Sequence, residues 1–242
     1  MATRAFRIAA VSAGLVFAAA ASLPAQAPGG FNIVVAPPKI NVQDKEDVWA
    51  LSLQFRGPRA LTTDVPGRGR KTVWYLWYQV WNETGQPRYF IPDFDLVVPD
   101  RNLQFHDQVL PKVQQEIARI EGVPGFDDLK NSVTIAATPI PVSKADANPA
   151  YVTGVAIWPD VVEKAPDLTS FSIFVSGLSN GWEVGDQGVL RRKTLQLNFL
   201  RRADARVQDS SAIRFYDQAW IYRGTGVKAP EVKAGAPKPP VE

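Results

Sequence analysis

Short runs of aromatic and β-branched residues, separated by clusters of proline, glycine, aspartate and asparagine, fill most of the chain between residues 48 and 223. In one of these runs Phe171, Ile173 and Val175 alternate with Ser170, Ser172 and Ser176, with Phe174 as the exception. Alternation with a period of two is typical of a strand with one buried face. The runs predict strands at residues 48–55, 73–82, 88–98, 132–137, 151–158, 170–176, 190–200 and 213–222.

The strand series lacks the regular strand–helix alternation of a parallel sheet, so the sequence predicts a mainly β protein. The expected architecture is an antiparallel two-sheet sandwich, immunoglobulin-like in the broad sense. About 100 residues suffice for a minimal sandwich of this kind. Residues 47–223 exceed this length, and we attribute the excess to an inserted helix and long connections within one elaborated domain.

One amphipathic helix is predicted at residues 111–121, inserted into the strand series. Pro111 suits a first helical turn, while Val113, Ile117 and Ile120 fall on one helical face. An isolated helix of this length is marginally stable in water. We therefore expect its apolar face to pack on a sheet.

The N-terminus has the pattern of a secretory signal peptide, assigned to residues 1–27. Two arginines precede an apolar run at 8–21, and an Ala-x-Ala sequence follows. The run is shorter than the ~20 residues of a membrane span, which disfavours the alternative of an uncleaved anchor. Pro28 lies directly after Ala27, so cleavage after Ala21 stays open. The protein is expected to be secreted or periplasmic, with no stable membrane span after cleavage.

Composition divides the remaining chain into three parts. Residues 28–46 are rich in proline and glycine and are expected to form an extended lead-in, 47–223 the β-sandwich domain, and 224–242 a disordered tail of Pro, Ala and Lys. The alternative is two small sandwiches divided near the prolines at 139–149.

Cysteine and histidine content excludes many kinds of chemistry. The chain has no cysteine and one histidine, which excludes disulfides, thiolate metal sites and multi-histidine metal sites within one chain. The formal charge of +3 comes from the signal and the tail, because residues 28–223 hold equal numbers of acidic and basic side chains. No cofactor and no nucleic-acid partner is expected.

A Gly-Leu-Ser-Asn-Gly sequence at 177–181 matches the nucleophile elbow of serine hydrolases. An elbow opens a helix, whereas turn residues follow here, and the histidine, His106, precedes the serine instead of following it. A hairpin turn is the preferred interpretation, and no catalytic residue is assigned.

Carboxylates offer a second chemistry. Asp93 and Asp95 lie on one face of a predicted strand, about 6.6 Å apart along it, near the spacing of glycosidase pairs. Calcium could bind the same pair with Asp100, or Asp127 with Asp128. The spacing of a calcium-binding loop is absent from the sequence, so no metal site is predicted and calcium binding stays open.

The strand at 73–82 carries three tryptophans and two tyrosines. Alternation places Trp74 on one face, and Tyr75, Trp77 and Trp81 on the other. Burial of both faces is the preferred interpretation, with the helix covering the second. The alternative makes Tyr75, Trp77 and Trp81 an exposed ligand-binding face.

Five segments of the predicted domain carry a resemblance to known proteins: Pro66–Gly69, Trp74–Tyr78, Gly154–Trp158, Phe171–Gly181 and Lys193–Leu195. They resemble an uncharacterised family of secreted bacterial proteins with an immunoglobulin-like β-sandwich domain. The resemblance spans most of the predicted domain and implies secretion. It implies no activity and no site residue.

Together these features predict a secreted, non-enzymatic β-sandwich that acts as a binding protein or an envelope structural protein. The expected partner is an envelope protein or a polysaccharide. The first alternative is a carbohydrate-binding module that uses the aromatic strand face. The second is a serine or carboxylate hydrolase.

Overall fold

The computed structural model describes residue 44 and residues 47–144, 148–185, 188–207 and 209–228. The predicted signal peptide, nearly all of the lead-in and residues 229–242 lie outside the described residues. Within the described part, the strands are β1 (Ser52–Phe55), β2 (Arg59–Val65), β3 (Gly69–Trp81), β4 (Asp93–Val98), β5 (Leu103–His106), β6 (Leu129–Lys130), β7 (Val152–Trp158), β8 (Ser170–Ser176), β9 (Trp182–Val184), β10 (Val189–Arg201) and β11 (Ile213–Lys228). The helices are α1 (Pro111–Ile120), α2 (Ser132–Ile135) and α3 (Val161–Lys164).

The strands form two largely antiparallel sheets. The first has the order β1-β3-β7-β6, with β2 also paired to β3, and only its short β6–β7 pair is parallel. The second has the order β11-β10-β8-β4-β5, with β9 paired to β10. The prediction of a mainly β, two-sheet sandwich is confirmed.

A continuous aromatic core holds the two sheets together. The Trp74 ring of the first sheet meets Phe171 of the second edge-on, with centroids 5.2 Å apart. Phe171 in turn stacks on Phe199, at 5.1 Å. Residues that alternate inward from both sheets belong to this one buried cluster.

Strand β7 carries a glycine where the core needs space. Gly154 pairs with Tyr78 of β3, and a Cβ atom at Gly154 would lie 2.3 Å from the Tyr78 ring. Glycine therefore lets the tyrosine ring lie against the neighbouring backbone.

Helix α1 covers the opposite face of the first sheet, as its sequence pattern predicts, although Ile120 of the predicted apolar face is 49% exposed at the end of the helix. Val113 and Ile117 are fully buried against Tyr75 and Trp77 in a second hydrophobic cluster. The aromatic strand β3 is thus buried on both faces, in the preferred arrangement.

The strand predicted at 132–137 is wrong. Asn131 accepts hydrogen bonds through Oδ1 from the backbone amides of Val133 (3.0 Å) and Thr134 (2.9 Å), and Thr134 Oγ1 accepts from the Asn131 amide. This capping box starts the four-residue helix α2. Local side-chain capping therefore overrides the β-branched composition, and α1 is one of three helices in the described chain.

The boundaries of the β unit differ from the predicted ones at both ends. β11 continues to Lys228, so the predicted tail begins inside a strand that pairs with β10. At the other end, Asp44 of the predicted lead-in forms a buried ion pair with Lys193 of β10, with side chains 3% and 0% exposed. Asp44 also accepts a hydrogen bond from the Tyr222 hydroxyl. Asp44 therefore belongs to the interior of the β unit.

Strands before and after the proline-rich segment at 139–149 pair directly with each other. β3 pairs with β7 in the first sheet, and β4 with β8 in the second.

No helix in the described residues is long and apolar enough to cross a membrane.

Candidate functional site

The three aromatic residues predicted as a ligand-binding face lie in the interior. Tyr75 is 2% exposed, and Trp77 and Trp81 are each 5% exposed. The exposed face of the alternative interpretation is therefore wrong for the folded chain, because α1 covers Tyr75 and Trp77. An edge of Trp77 still lines a cavity beside the helix.

This cavity, which we call the α1 cleft, lies between the end of α1 and the outer face of β3 and β7. Its volume is about 570 Å³. The side chains that matter for its chemistry are Arg56, Trp77, Gln79, Glu121, Asp127, Asp128, Lys130, Tyr151 and Thr153.

A buried carboxylate fixes one wall of the α1 cleft. The Glu121 side chain is 0% exposed and forms ion pairs with Arg56 and, at 2.9 Å, with Arg59. The Tyr75 hydroxyl donates a hydrogen bond of 2.8 Å to Glu121 Oε1. Burial, followed by the nearby Glu121 charge, raises the pKa of Tyr75 well above its usual value, so its hydroxyl stays a donor.

The position of Glu121 explains why it needs two guanidinium groups. It caps the C-terminal end of α1, where the helix dipole disfavours negative charge. The guanidinium of Arg56 also lies 4.8 Å above the Trp77 ring. Charge pairing and ring stacking thus hold both side chains of this wall in place.

The sheet side of the cleft presents amide and hydroxyl groups. Gln54 donates to the Gln79 side chain at 2.5 Å, and Gln79 donates to Thr153 Oγ1 at 3.2 Å. Tyr151 lies beside this row, 41% exposed, and meets Trp81 edge-on at 5.5 Å. The cleft therefore combines a partly exposed ring with polar groups in fixed positions.

The Gly-Leu-Ser-Asn-Gly sequence forms a turn that is hydrogen-bonded to the segment before β1. Ser179 donates a hydrogen bond of 2.6 Å to the Trp49 carbonyl and accepts one of 3.1 Å from the Gly181 amide. Gly177 has a φ of +87°, and a Cβ there would lie 2.1 Å from the Ile91 carbonyl oxygen. Strand β9 follows the motif where a nucleophile elbow requires a helix.

We expect Ser179 to be unreactive, because its hydroxyl proton is already donated to a backbone carbonyl and no basic side chain bonds to it in the described residues. A fluorophosphonate probe should leave the protein unlabelled in a gel assay. The Ser179→Ala variant should lose about 1 kcal/mol of stability, the usual contribution of one hydrogen bond. Stoichiometric labelling that disappears in this variant would favour a hydrolase.

Asp93 and Asp95 do lie on one face of β4, and the structure adds His106 to them. The imidazole Nδ1 is 2.6 Å from Asp95 Oδ1 and 4.0 Å from Asp93 Oδ1. Arg223 of β11 donates to the other oxygen of Asp95, Oδ2. Burial, and then the charge of Asp95, raise the pKa of Asp93 above its usual value.

The other acidic residues considered for calcium lie elsewhere. Asp100 belongs to a turn of 3-10 helix after β4 and is not a member of this group, and Asp127 and Asp128 line the α1 cleft. The sequence pattern relates His106 only to the serine-hydrolase hypothesis. The signal that joins it to the carboxylates is the antiparallel β4–β5 pairing, in which His106 lies opposite Asp95.

Comparison of the chain with known protein families, with characterised proteins and with solved structures finds no significant match. The resemblance to secreted bacterial proteins therefore stays a prediction. Any function has to follow from the geometry of the chain itself.

Proposed function

We propose that this protein is a secreted or periplasmic binding protein, without catalytic activity, that holds its ligand in the α1 cleft. The volume of about 570 Å³ lies within the ordinary range of ligand-binding cavities. An envelope structural role is compatible with this proposal if the ligand is an envelope component.

The observation that carries the proposal is the fixed wall formed by Glu121, Arg56 and Trp77. Glu121 is held by two guanidinium groups and a tyrosine hydroxyl, and Arg56 is held by Glu121 and the Trp77 ring. Ordering side chains on binding reduces affinity, so a wall that is ordered in advance favours a binding site.

The lining of the cleft supports a polysaccharide ligand. Tyr151 supplies a partly exposed ring that can pack on the apolar face of a sugar, and Gln79 and Thr153 supply hydrogen-bonding groups beside it. Arg56 and Lys130 line the cleft with three carboxylates, Glu121, Asp127 and Asp128, and Arg59 behind the wall supplies a third cation through its ion pair with Glu121. A neutral, polyhydroxylated ligand fits this mixed lining better than a strongly charged one.

The proposed carbohydrate site differs from the one expected from the sequence. The sequence placed the ligand on the faces of Tyr75, Trp77 and Trp81, which the structure buries. In the proposal Tyr151 takes over the role of the stacking ring, and Trp77 supports Arg56.

Affinity electrophoresis of the folded chain in gels that contain soluble bacterial or plant polysaccharides tests the proposal. We expect retardation by at least one polysaccharide, and Tyr151→Ala should weaken it at least about tenfold, or about 1.4 kcal/mol. Tyr216→Ala is the matched control, because Tyr216 is also 41% exposed but lies on β11 of the other sheet. Equal losses in the two variants, or no retardation by any polysaccharide, would contradict a sugar site in the cleft.

A further inference from the structure

We propose that Asp93, Asp95 and His106 bind one divalent cation of the Zn²⁺ class on the outer face of the second sheet. This site is independent of the α1 cleft, which lies on the outer face of the first sheet. The three residues are the group in the described chain whose potential ligand atoms all lie within 4.8 Å of one another.

Strand geometry brings the three side chains together. Asp93 and Asp95 are two positions apart on β4, so they share a face, and Phe94 and Leu96 point into the core. His106 lies directly opposite Asp95 on the neighbouring strand β5. Cross-strand partners lie about 4.5–5.5 Å apart at Cβ, a distance that two ligands of one ion can span.

The observation that points to a bound ion is an unsatisfied oxygen. The Asp95 side chain is 4% exposed, and its Oδ1 is buried and accepts no hydrogen bond from the described residues. His106 Nδ1 lies 2.6 Å from this oxygen, within ion-pair distance, but forms no hydrogen bond with it. A buried carboxylate oxygen is costly to leave unsatisfied, and a cation bound to both the oxygen and the imidazole nitrogen would satisfy both atoms once the imidazole moves outward from its 2.6 Å contact.

Arg223 orients this oxygen toward the proposed ion. Its guanidinium donates to Asp95 Oδ2 and packs 4.4 Å from the Phe174 ring. Oδ1 is therefore left facing His106. Carboxylates that bind metal ions are commonly held by a hydrogen bond to their second oxygen in this manner.

Side-chain movements of about 1 Å or less would fit the group to a small tetrahedral ion. Zinc bonds of 2.0–2.2 Å place neighbouring ligand atoms about 3.3–3.6 Å apart. The observed separations from His106 Nδ1, 2.6 Å to Asp95 Oδ1 and 4.0 Å to Asp93 Oδ1, lie on either side of that range. Asp93 and His106 are 61% and 68% exposed at their side chains, so both can adjust.

The ligand types define the class of ion. An imidazole nitrogen combined with carboxylate oxygens suits Zn²⁺, whereas Ca²⁺ and Mg²⁺ prefer ligand sets made of oxygen. Arg192 and Arg223 line the same cavity of about 490 Å³. Their positive charges weaken the long-range attraction between the two carboxylates and a cation. Binding of the ion would therefore depend on direct bonds to the three ligands.

Nuclear magnetic resonance of the imidazole gives a direct test, because the chain has one histidine and its side-chain signals need no assignment. Untagged protein, free of added histidines, is titrated with ZnCl₂. We expect the His106 signals to shift with saturation at one equivalent. A hundredfold excess of CaCl₂ should leave the zinc-bound signals in place.

Two variants locate the site. Asp93→Asn should weaken zinc affinity at least about tenfold while the far-ultraviolet circular dichroism stays unchanged, because Asp93 is 61% exposed. Asp100→Asn removes an exposed carboxylate outside the group and should bind zinc like the parent chain. The proposal is overturned if zinc leaves the His106 signals unshifted, if Asp93→Asn binds as well as the parent, or if calcium displaces zinc.

Discussion

Replacing Trp77 with alanine is expected to lower the free energy of unfolding by ~3–5 kcal/mol, the usual cost of removing a buried tryptophan from a core. Trp77 is 5% exposed and lies between the first sheet and α1, with Arg56 above its ring. Total stability of a domain is commonly ~5–15 kcal/mol, so the midpoint of urea unfolding should fall sharply.

Two further variants serve as comparisons for Trp77→Ala: Trp74→Ala, which should lose a similar amount of stability, and Tyr216→Ala, which should lose little. Trp74 is 2% exposed on the opposite face of β3, so its loss should be of similar size. Tyr216 is 41% exposed, and its replacement should change stability by no more than about 0.5 kcal/mol. If both tryptophan variants were as stable as the parent chain, β3 could not be the doubly buried centre of the first sheet.

Asp44→Asn is expected to destabilise the chain by about 3–5 kcal/mol, because it removes one charge of a buried pair. The Lys193 ammonium is 0% exposed, and the neutral amide cannot balance its charge. Urea unfolding followed by tryptophan fluorescence measures the loss.

A double variant distinguishes loss of the ion pair from loss of packing. Asp44→Leu combined with Lys193→Met replaces both charges by apolar groups and should restore most of the stability, as is common for buried pairs. Asp209→Asn is the control, since the Arg202–Asp209 pair lies at the surface and its midpoint should not move. A midpoint in Asp44→Asn equal to that of the parent would mean that the lead-in does not anchor the domain in solution.

Strong local patterns predicted most of the secondary structure. The faces of β3 and the helix that covers one of them follow from periods of two and 3.6 in the sequence. Strand β2 was missed because Thr62 and Thr63 interrupt its alternation, and their side chains are used in contacts with Thr72 and Glu116. Helix α2 was missed because one asparagine cap decides its conformation.

The candidate sites were harder to predict, because each one joins residues that are distant in sequence. Asp93 and Asp95 could be placed on one face from alternation alone, but Arg223 reaches Asp95 from the last strand of the described chain. Similarly, Glu121 at the end of α1 forms an ion pair with Arg56, which lies in the loop after β1. Such contacts depend on the order of strands in the sheets, which local patterns do not contain.

The order of strands also has a consequence for the rate of folding. Trp74 pairs with Trp158 in the first sheet and Phe94 with Val175 in the second, so both sheets join residues about eighty positions apart. Closing such loops costs entropy before the pairing is gained, and β proteins with high contact order fold in milliseconds to seconds. The β10–β11 hairpin, whose strands are adjacent in sequence, closes only a short loop, whereas the pairings β3–β7 and β4–β8 must each bring together residues about eighty positions apart.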